Sequence, residues 1–231
     1  STLRHVLNMT AAGTVGLVAV FLVDVVNLFY ISMLGHQELA AAVGYAGTLL
    51  FFLLSLAIGL SIAVGATTSR ALGRGDRAHA KQLAGASLVL MGATMTLAAI
   101  LIYPLLPYLM GLLGATGSTA DLALRFTRIV LPSTPLMGLG ICLSALLRSV
   151  GDARRAMFVT LGAGVATALL DPLLIFGFGW GLDGAAVATC LARLVMVGIG
   201  LHGVLRVHGL FEWPSASAMR ETLKPFLAIG V

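Results

Sequence analysis

Two carboxylates stand inside apolar runs long enough to cross a bilayer: Asp24 in Val6–Leu34 and Asp171 in Ala156–Phe178. A charge at bilayer depth costs ~2.5–3.5 kcal/mol or more at a helix centre. Such a residue usually faces a protein interior or a wet cavity and handles ions, protons or substrate. Each acid has a polar neighbour on its own helix face. Asn27 follows Asp24 by three residues and Thr167 precedes Asp171 by four, spacings that set side chains next to each other. In a later apolar run, Thr189 adds a hydroxyl and Arg193 lies one turn deeper. Pro172 cannot donate to the carbonyl of Ala168, which frees an acceptor beside Asp171. Pro172 and Arg193 are therefore candidates for a substrate contact or a helix bend. Two carboxylates, an amide and hydroxyls suit a proton or a small hard cation such as Na⁺. The competing reading is structural: each acid hydrogen-bonded to hydroxyls, or paired with Arg193.

These residues need helices to hold them in a membrane, and the composition supplies those. The chain of 231 residues is 59% hydrophobic and 10% charged, with a mean hydropathy of +1.03. Soluble domains carry about 25% charged residues, so this is an all-α, polytopic membrane protein. Six apolar runs read as spans: Val6–Leu34, Leu39–Ser69, Gln82–Met110, Asp121–Leu147, Ala156–Phe178 and Gly184–Val204. The first is too long for a signal peptide and lacks a small-residue cleavage pattern. The formal charge of +5 does not point to nucleic acid, because the basic residues form neither one patch nor an aromatic-interleaved run. Cys142 and Cys190 lie within spans and form no disulfide framework.

The loop charges orient the spans. Arg70, Arg74, Arg77 and Lys81 follow the second span, Arg148, Arg154 and Arg155 the fourth, and Arg206 the sixth. The intervening connections His36–Glu38, Gly111–Ala120 and Gly179–Asp183 hold no Lys or Arg. The alternation places both ends of the segment in the cytoplasm of a multi-pass protein of the cell membrane, expected to be a bacterial inner membrane. Both basic loops contain Gly-Asp, at Gly75-Asp76 and Gly151-Asp152. Glycine ends one helix and aspartate caps the next, and the echo suggests an internal three-helix duplication. At 1.5 Å per residue, Asp24 lies ~15 Å and Asp171 ~10 Å from the outer ends of their helices, so the two acids can share one cavity in the outer half.

Other residues carry less. Arg125 and Arg128 sit in the first turns of the fourth span and are expected to snorkel to the outer interface. Pro132 and Pro135 are expected to kink that helix. Gly162, Gly164 and Ala166 permit close helix packing, and Met91, Met95, Met137 and Met157 read as packing. The five histidines show no ligand spacing. No HExxH, GxSxG, phosphate-loop or paired-Cys motif occurs, so enzyme chemistry and a cofactor have no support.

Several segments, in order, resemble the multidrug and toxic compound extrusion (MATE) transporters. Leu146-Leu-Arg-Ser-Val-Gly-Asp-Ala-Arg-Arg-Ala-Met157 is similar to that family's LR-x-x-G-D-x-R-x-x-M loop. Leu170-Asp-Pro-Leu-Leu-Ile-Phe-Gly177 is similar to its LDPLLIFG, and Gly181-Leu-Asp-Gly-Ala-Ala-Val-Ala-Thr189 to its G-x-x-GAA-x-AT. Leu22-Val-Asp-Val-Val-Asn27, Leu34-Gly35 and the Ala40–Gly44 run resemble its first-helix region. The resemblance implies a transporter of two six-helix lobes, twelve helices in all. It would export amphipathic, often cationic compounds in exchange for H⁺ or Na⁺. This chain would be the amino-terminal six-helix transmembrane bundle over 1–207, a cytoplasmic or interfacial linker over 208–222, and the start of a seventh helix over 223–231. Its partners would be a small amphipathic or cationic substrate, membrane lipid and the missing carboxy-terminal lobe. By resemblance, Asp24 and Asp171 are the coupling acids and Thr189 the nearby sixth-helix threonine. Thr167 stands where many members have Asn, and Met9 where many have a proline. H⁺ is the expected coupling ion. Na⁺ coupling, a lipid-carrier flippase and a non-transporting scaffold lobe are the competing readings.

Overall fold

A computed structural model describes residues 2–229 and is helical along nearly its whole length. Six helices have the length and apolarity of membrane spans: α1 (Thr2–Ser32), α2 (Gln37–Gly73), α3 (Arg77–Leu112), α4 (Gly117–Ser149), α5 (Ala153–Gly177) and α6 (Leu182–Val207). Each expected span coincides with one of them, so the chain is a multi-pass membrane protein. A shorter helix, α7 (Ala216–Ile229), follows.

Three spans lose regular α geometry where prolines fall. α3 passes through a 3-10 turn at Tyr103–Leu105, beside Pro104 and Pro107. α4 does so at Leu131–Ser133, which holds Pro132 and is followed by Pro135. Regular α-helix in α5 ends at Pro172 and continues as a π turn over Leu173–Gly177. A proline gives no N–H to the preceding turn, so the local ladder must shift.

The two basic loops are built alike. The N–H groups of Gly75 and Asp76 donate to the Leu72 and Ala71 carbonyls, and those of Gly151 and Asp152 to the Arg148 and Leu147 carbonyls. Both glycines have positive φ, 76° and 81°, as this helix-ending motif requires. Asp76 then accepts the His79 N–H at 3.1 Å, and Asp152 the Arg155 N–H at 3.0 Å. The Gly-Asp pairs are end-and-start signals for helices, as the sequence suggests.

Packing places α1 against α5, α5 against α6, and α2 and α3 against α4. The core is filled by Met91, Met95, Leu143, Leu146 and Leu147, all fully buried. Met91 and Met95 are packing residues and lie against Gly138, whereas Met137 and Met157, also expected to pack, line a cavity.

The segment after α6 differs from the expected linker. Helix α7 starts at Ala216, inside the range read as linker, because Ser215 Oγ accepts the Ala218 N–H at 3.3 Å and caps it. α7 packs on α3 and α2 through buried Ala218, Thr222 and Phe226. The last two residues of the expected seventh-helix start, 230 and 231, lie outside the described residues. The segment leading into α7 is strapped to α3. Arg77 donates to the His208 carbonyl, the Glu212 N–H to the Lys81 carbonyl, and Ser215 to Gln82 at 3.0 Å. His79 and Glu221 pair at 2.9 Å.

Gly85 makes this docking possible. A Cβ there would lie 1.9 Å from the Glu212 carbonyl oxygen, and a backbone atom cannot swing aside as a side chain can. Gly85→Val is therefore expected to lift the strap, at a cost of about 1–3 kcal/mol for overpacking. Limited proteolysis should find faster cleavage between residues 208 and 215; an unchanged cleavage rate counts against this seating.

His208 Nε2 also meets Asp152 Oδ2 at 2.7 Å, and Arg155 reaches the same oxygen at 2.7 Å. Burial raises the Asp152 carboxyl, but the hydrogen bonds from Arg155 and His208 outweigh it and hold it at about 2. The folded-state value lies below the ordinary carboxylate value. The stabilisation is thus full above that ordinary value and is lost as pH falls towards about 2. Asp152→Asn is expected to flatten the acid limb of the melting temperature below about pH 4. An acid limb matching that of the unmodified protein would refute this.

Candidate functional site

Close packing of α1 on α5 sets the level of the polar groups. A Cβ on Gly16 would meet Thr160 Oγ1 at 3.0 Å, and one on Gly164 would meet Val23 at 3.0 Å. The two helices run in the same direction, so Asn27 falls level with the turn Thr167–Asp171.

A cavity of about 740 Å³ opens between α1, α2, α4, α5 and α6. Asp24, Asn27, Thr167, Thr189 and Arg193 all line it, from three helices. Five of the seven residues singled out from the sequence thus meet at one place. Its remaining wall is mostly apolar, with Leu17, Phe21, Phe51 and Met137 among it. This combination suits an amphipathic molecule: a large apolar surface with a few polar groups to orient it.

Asp171 departs from the expectation of a shared cavity. It does not line the cavity but lies behind it, with no exposed surface. Neither of its carboxyl oxygens has a hydrogen-bond partner among the described residues, and neither does Asn27 Oδ1. The hydroxyls expected to serve the acids are turned to their own helices. Thr167 donates to the Ala163 carbonyl and Thr189 to the Ala185 carbonyl, each at 3.0 Å. The structural reading of Asp171, held by hydroxyls or by Arg193, is therefore absent from its surroundings. A buried polar atom without a partner is rare and calls for an explanation.

Pro172 ends the regular α-helix of α5 and does not line the cavity. Beyond it the π turn is completed by the loop: the Trp180 N–H donates to the Leu174 carbonyl at 3.1 Å. The start of α6 presses on this turn at Gly184, where a Cβ would lie 2.6 Å from the Leu174 carbonyl oxygen.

Arg193 is tied to the 3-10 turn of α4. Its Nη1 donates to Ser133 Oγ at 2.7 Å and to the Val130 carbonyl at 3.4 Å, at the proline break of α4. Ser133 was not singled out from the sequence. The available signal was its place between Pro132 and Pro135, where carbonyls lose their usual donors. Arg125 pairs with Asp183 in a separate, shallow concavity on the non-basic side, which Arg128 also lines.

The family model MatE matches residues 14–173. An FAD transporter of Shewanella oneidensis is 31% identical over 218 residues, covering 90% of this chain and 47% of that protein. The multidrug export protein MepA of Staphylococcus aureus is 28% identical over 175 residues, 74% of this chain and 38% of MepA. Among solved structures, an outward-facing multidrug resistance MATE transporter of the MOP superfamily superposes with a TM-score of 0.87 at 25% identity, over 97% of this chain and 50% of that one. A MOP superfamily transporter from Pyrococcus furiosus, whose binding pocket is described as reversed in polarity, gives 0.88 at 25% identity, over 98% of this chain and 51% of that one. The chain spans about half the length, or less, of the curated relatives it matches. Sequence motifs, six-helix architecture and family model agree: the chain belongs to the MatE family, whose members are transporters and not enzymes.

Proposed function

We propose that this chain is the amino-terminal lobe of a secondary antiporter that exports amphipathic, cationic organic compounds in exchange for H⁺. Asp24 and Asp171 are its coupling acids. The carrying observation is Asp171: a carboxyl with no exposed surface and no hydrogen-bond partner among the described residues, set directly behind a membrane-embedded cavity. A group so placed is served by a proton, which needs no coordination shell. Asp24, on the cavity wall, offers its charge to either a proton or the cationic part of the cargo. The two compete, so entry of H⁺ from outside releases the cargo outward. Differential affinity for the two states supplies the drive. The basic loops lie in the cytoplasm on this reading, and the second six-helix lobe completes the cargo site.

The test is efflux of ethidium, a lipophilic aromatic cation, by the full-length transporter in everted vesicles under an imposed pH gradient. Asp24→Asn and Asp171→Asn should each stop it. Unchanged pH-driven efflux in both variants would sink the proposal. Efflux that follows a Na⁺ gradient at fixed pH would assign the coupling to Na⁺ instead, with Asp24, Asp171 and Thr189 as its oxygen ligands.

A further inference from the structure

We propose that Arg193 is a positioning residue that keeps the empty transporter from changing state; the inference rests on Asp24 being a coupling acid. Arg193 stands between two sites that can use its guanidinium. On one side is the proline break of α4. Thr134 N–H donates to the Leu131 carbonyl there, Ser133 Oγ to the Val130 carbonyl at 2.6 Å, and Arg193 Nη1 to both Ser133 Oγ and the Val130 carbonyl. On the other side is the cavity that Arg193 shares with Asp24. A guanidinium has five donors, and only Nη1 has partners among the described residues. Those partners are neutral. Arg193 makes no ion pair among the described residues.

The charged and titratable surroundings are few. Asp24 faces the cavity from α1, Arg148 lines it from the basic end of α4, and Asp171, on α5, does not line it. On α6 itself, the Cys190 thiol donates to the Ile129 carbonyl. The cavity residues of α2 are uncharged. Asp24 is therefore the anion that Arg193 can answer to, and in a low-dielectric cavity that attraction is strong.

Three occupancies of Asp24 then sort themselves. Protonated, it has no charge to draw Arg193, which stays on the α4 break. Paired with a cationic cargo it is also neutralised, and the cargo's own charge keeps Arg193 away. Ionised and empty, it draws Arg193 off Ser133 and Val130 and leaves the break unsupported. Proton-loaded and cargo-loaded states thus share one arrangement of α4, and the empty state has another. An antiporter must exchange in the first two and not in the third, because an empty carrier that returns lets protons leak.

The experiment reconstitutes the full-length transporter in liposomes, without cargo, with a trapped pH dye and an imposed pH gradient. R193Q is expected to raise the proton leak roughly tenfold, the factor given by losing one hydrogen bond between charged partners. R193K keeps the charge, so its leak stays near that of the unmodified protein while ethidium exchange slows through loss of the fork at the break. R193M, which keeps the apolar stem and lacks the charge, serves where R193Q fails to fold and is expected to raise the leak to the same degree. A residue that only props the helix would lower exchange in both variants and leave the leak at its original level; that result overturns the inference. If Asp24→Asn leaves pH-driven ethidium exchange intact, the reading of Asp24 fails first. If that variant is inactive and R193Q does not leak, only the role of Arg193 falls.

Discussion

Replacing Asp171 by Asn is expected to abolish ethidium efflux driven by a pH gradient while leaving the folded protein as stable as before, or more so. The two halves of this result belong together. Asn nearly matches Asp in shape, and the carboxyl it replaces has no hydrogen-bond partner to lose among the described residues. Removing a potential buried charge relieves a desolvation cost and breaks nothing. If the carboxylate were a structural group, the opposite pattern would hold. The amide would leave its partners unsatisfied, at about 1–3 kcal/mol, and pH-driven transport would survive in whatever protein still folded. Efflux and melting temperature measured on the same preparation separate the cases. A destabilised variant that keeps its response to pH would refute the coupling role.

Gly184→Val is expected to have the largest effect on folding. A Cβ at Gly184 would lie 2.6 Å from the Leu174 carbonyl oxygen, 2.7 Å from its carbon and 3.0 Å from the Ile175 nitrogen. All three are backbone atoms of the π turn that follows Pro172, so relief requires the turn or the whole of α6 to move. Overpacking costs about 1–3 kcal/mol where side chains can give way, and more where they cannot. Asp171 lies just before this turn, so the damage reaches the candidate coupling site as well. The expected outcome is loss of monodisperse protein on size-exclusion chromatography. Gly65→Ala is the control: nothing lies within 4 Å of its Cβ position, and alanine is the better helix former by up to about 1 kcal/mol. Equal yields for the two variants would show that α6 tolerates displacement here.

The spans were legible because bilayer thickness writes itself into sequence as runs of apolar residues. The loop motifs were legible because helix ends have few chemical solutions, and Gly-Asp is one. The convergence of Asp24, Asn27, Thr167, Thr189 and Arg193 on one cavity could be anticipated only as a layer in depth, since rise per residue gives height and not which helices touch. Asp171 shows the limit. Height placed it in the same outer-half layer as Asp24, but facing is set by the packing of α1 on α5 through Gly16 and Gly164. That packing turned it behind the wall. Arg193 was judged against the acids because both carry charge. Its observed partners are a hydroxyl and a carbonyl, in a helix whose break depends on two prolines far from Arg193 in sequence. The strap before α7 was hidden for a similar reason. Its mixed, polar composition reads as a cytoplasmic or interfacial linker, and the close approach at Gly85 together with the bonds to Arg77, Lys81 and Gln82 makes it a docked segment.

That strap bears on how the protein is made. Its observed contacts run to residues of the same six-helix unit: Arg77, Lys81 and Gln82 on α3, and Asp152 at the start of α5. Some of these bonds join residues more than 130 positions apart in sequence, as between Gln82 and Ser215. They are the slowest contacts to find, because loop closure must come first. Yet all of them become available once α7 has left the ribosome. Domains generally fold as units in the order of their synthesis. Seating the strap would therefore close these bonds as soon as the six-helix unit and α7 are made, leaving the newborn unit with fewer unpaired groups to offer to wrong partners.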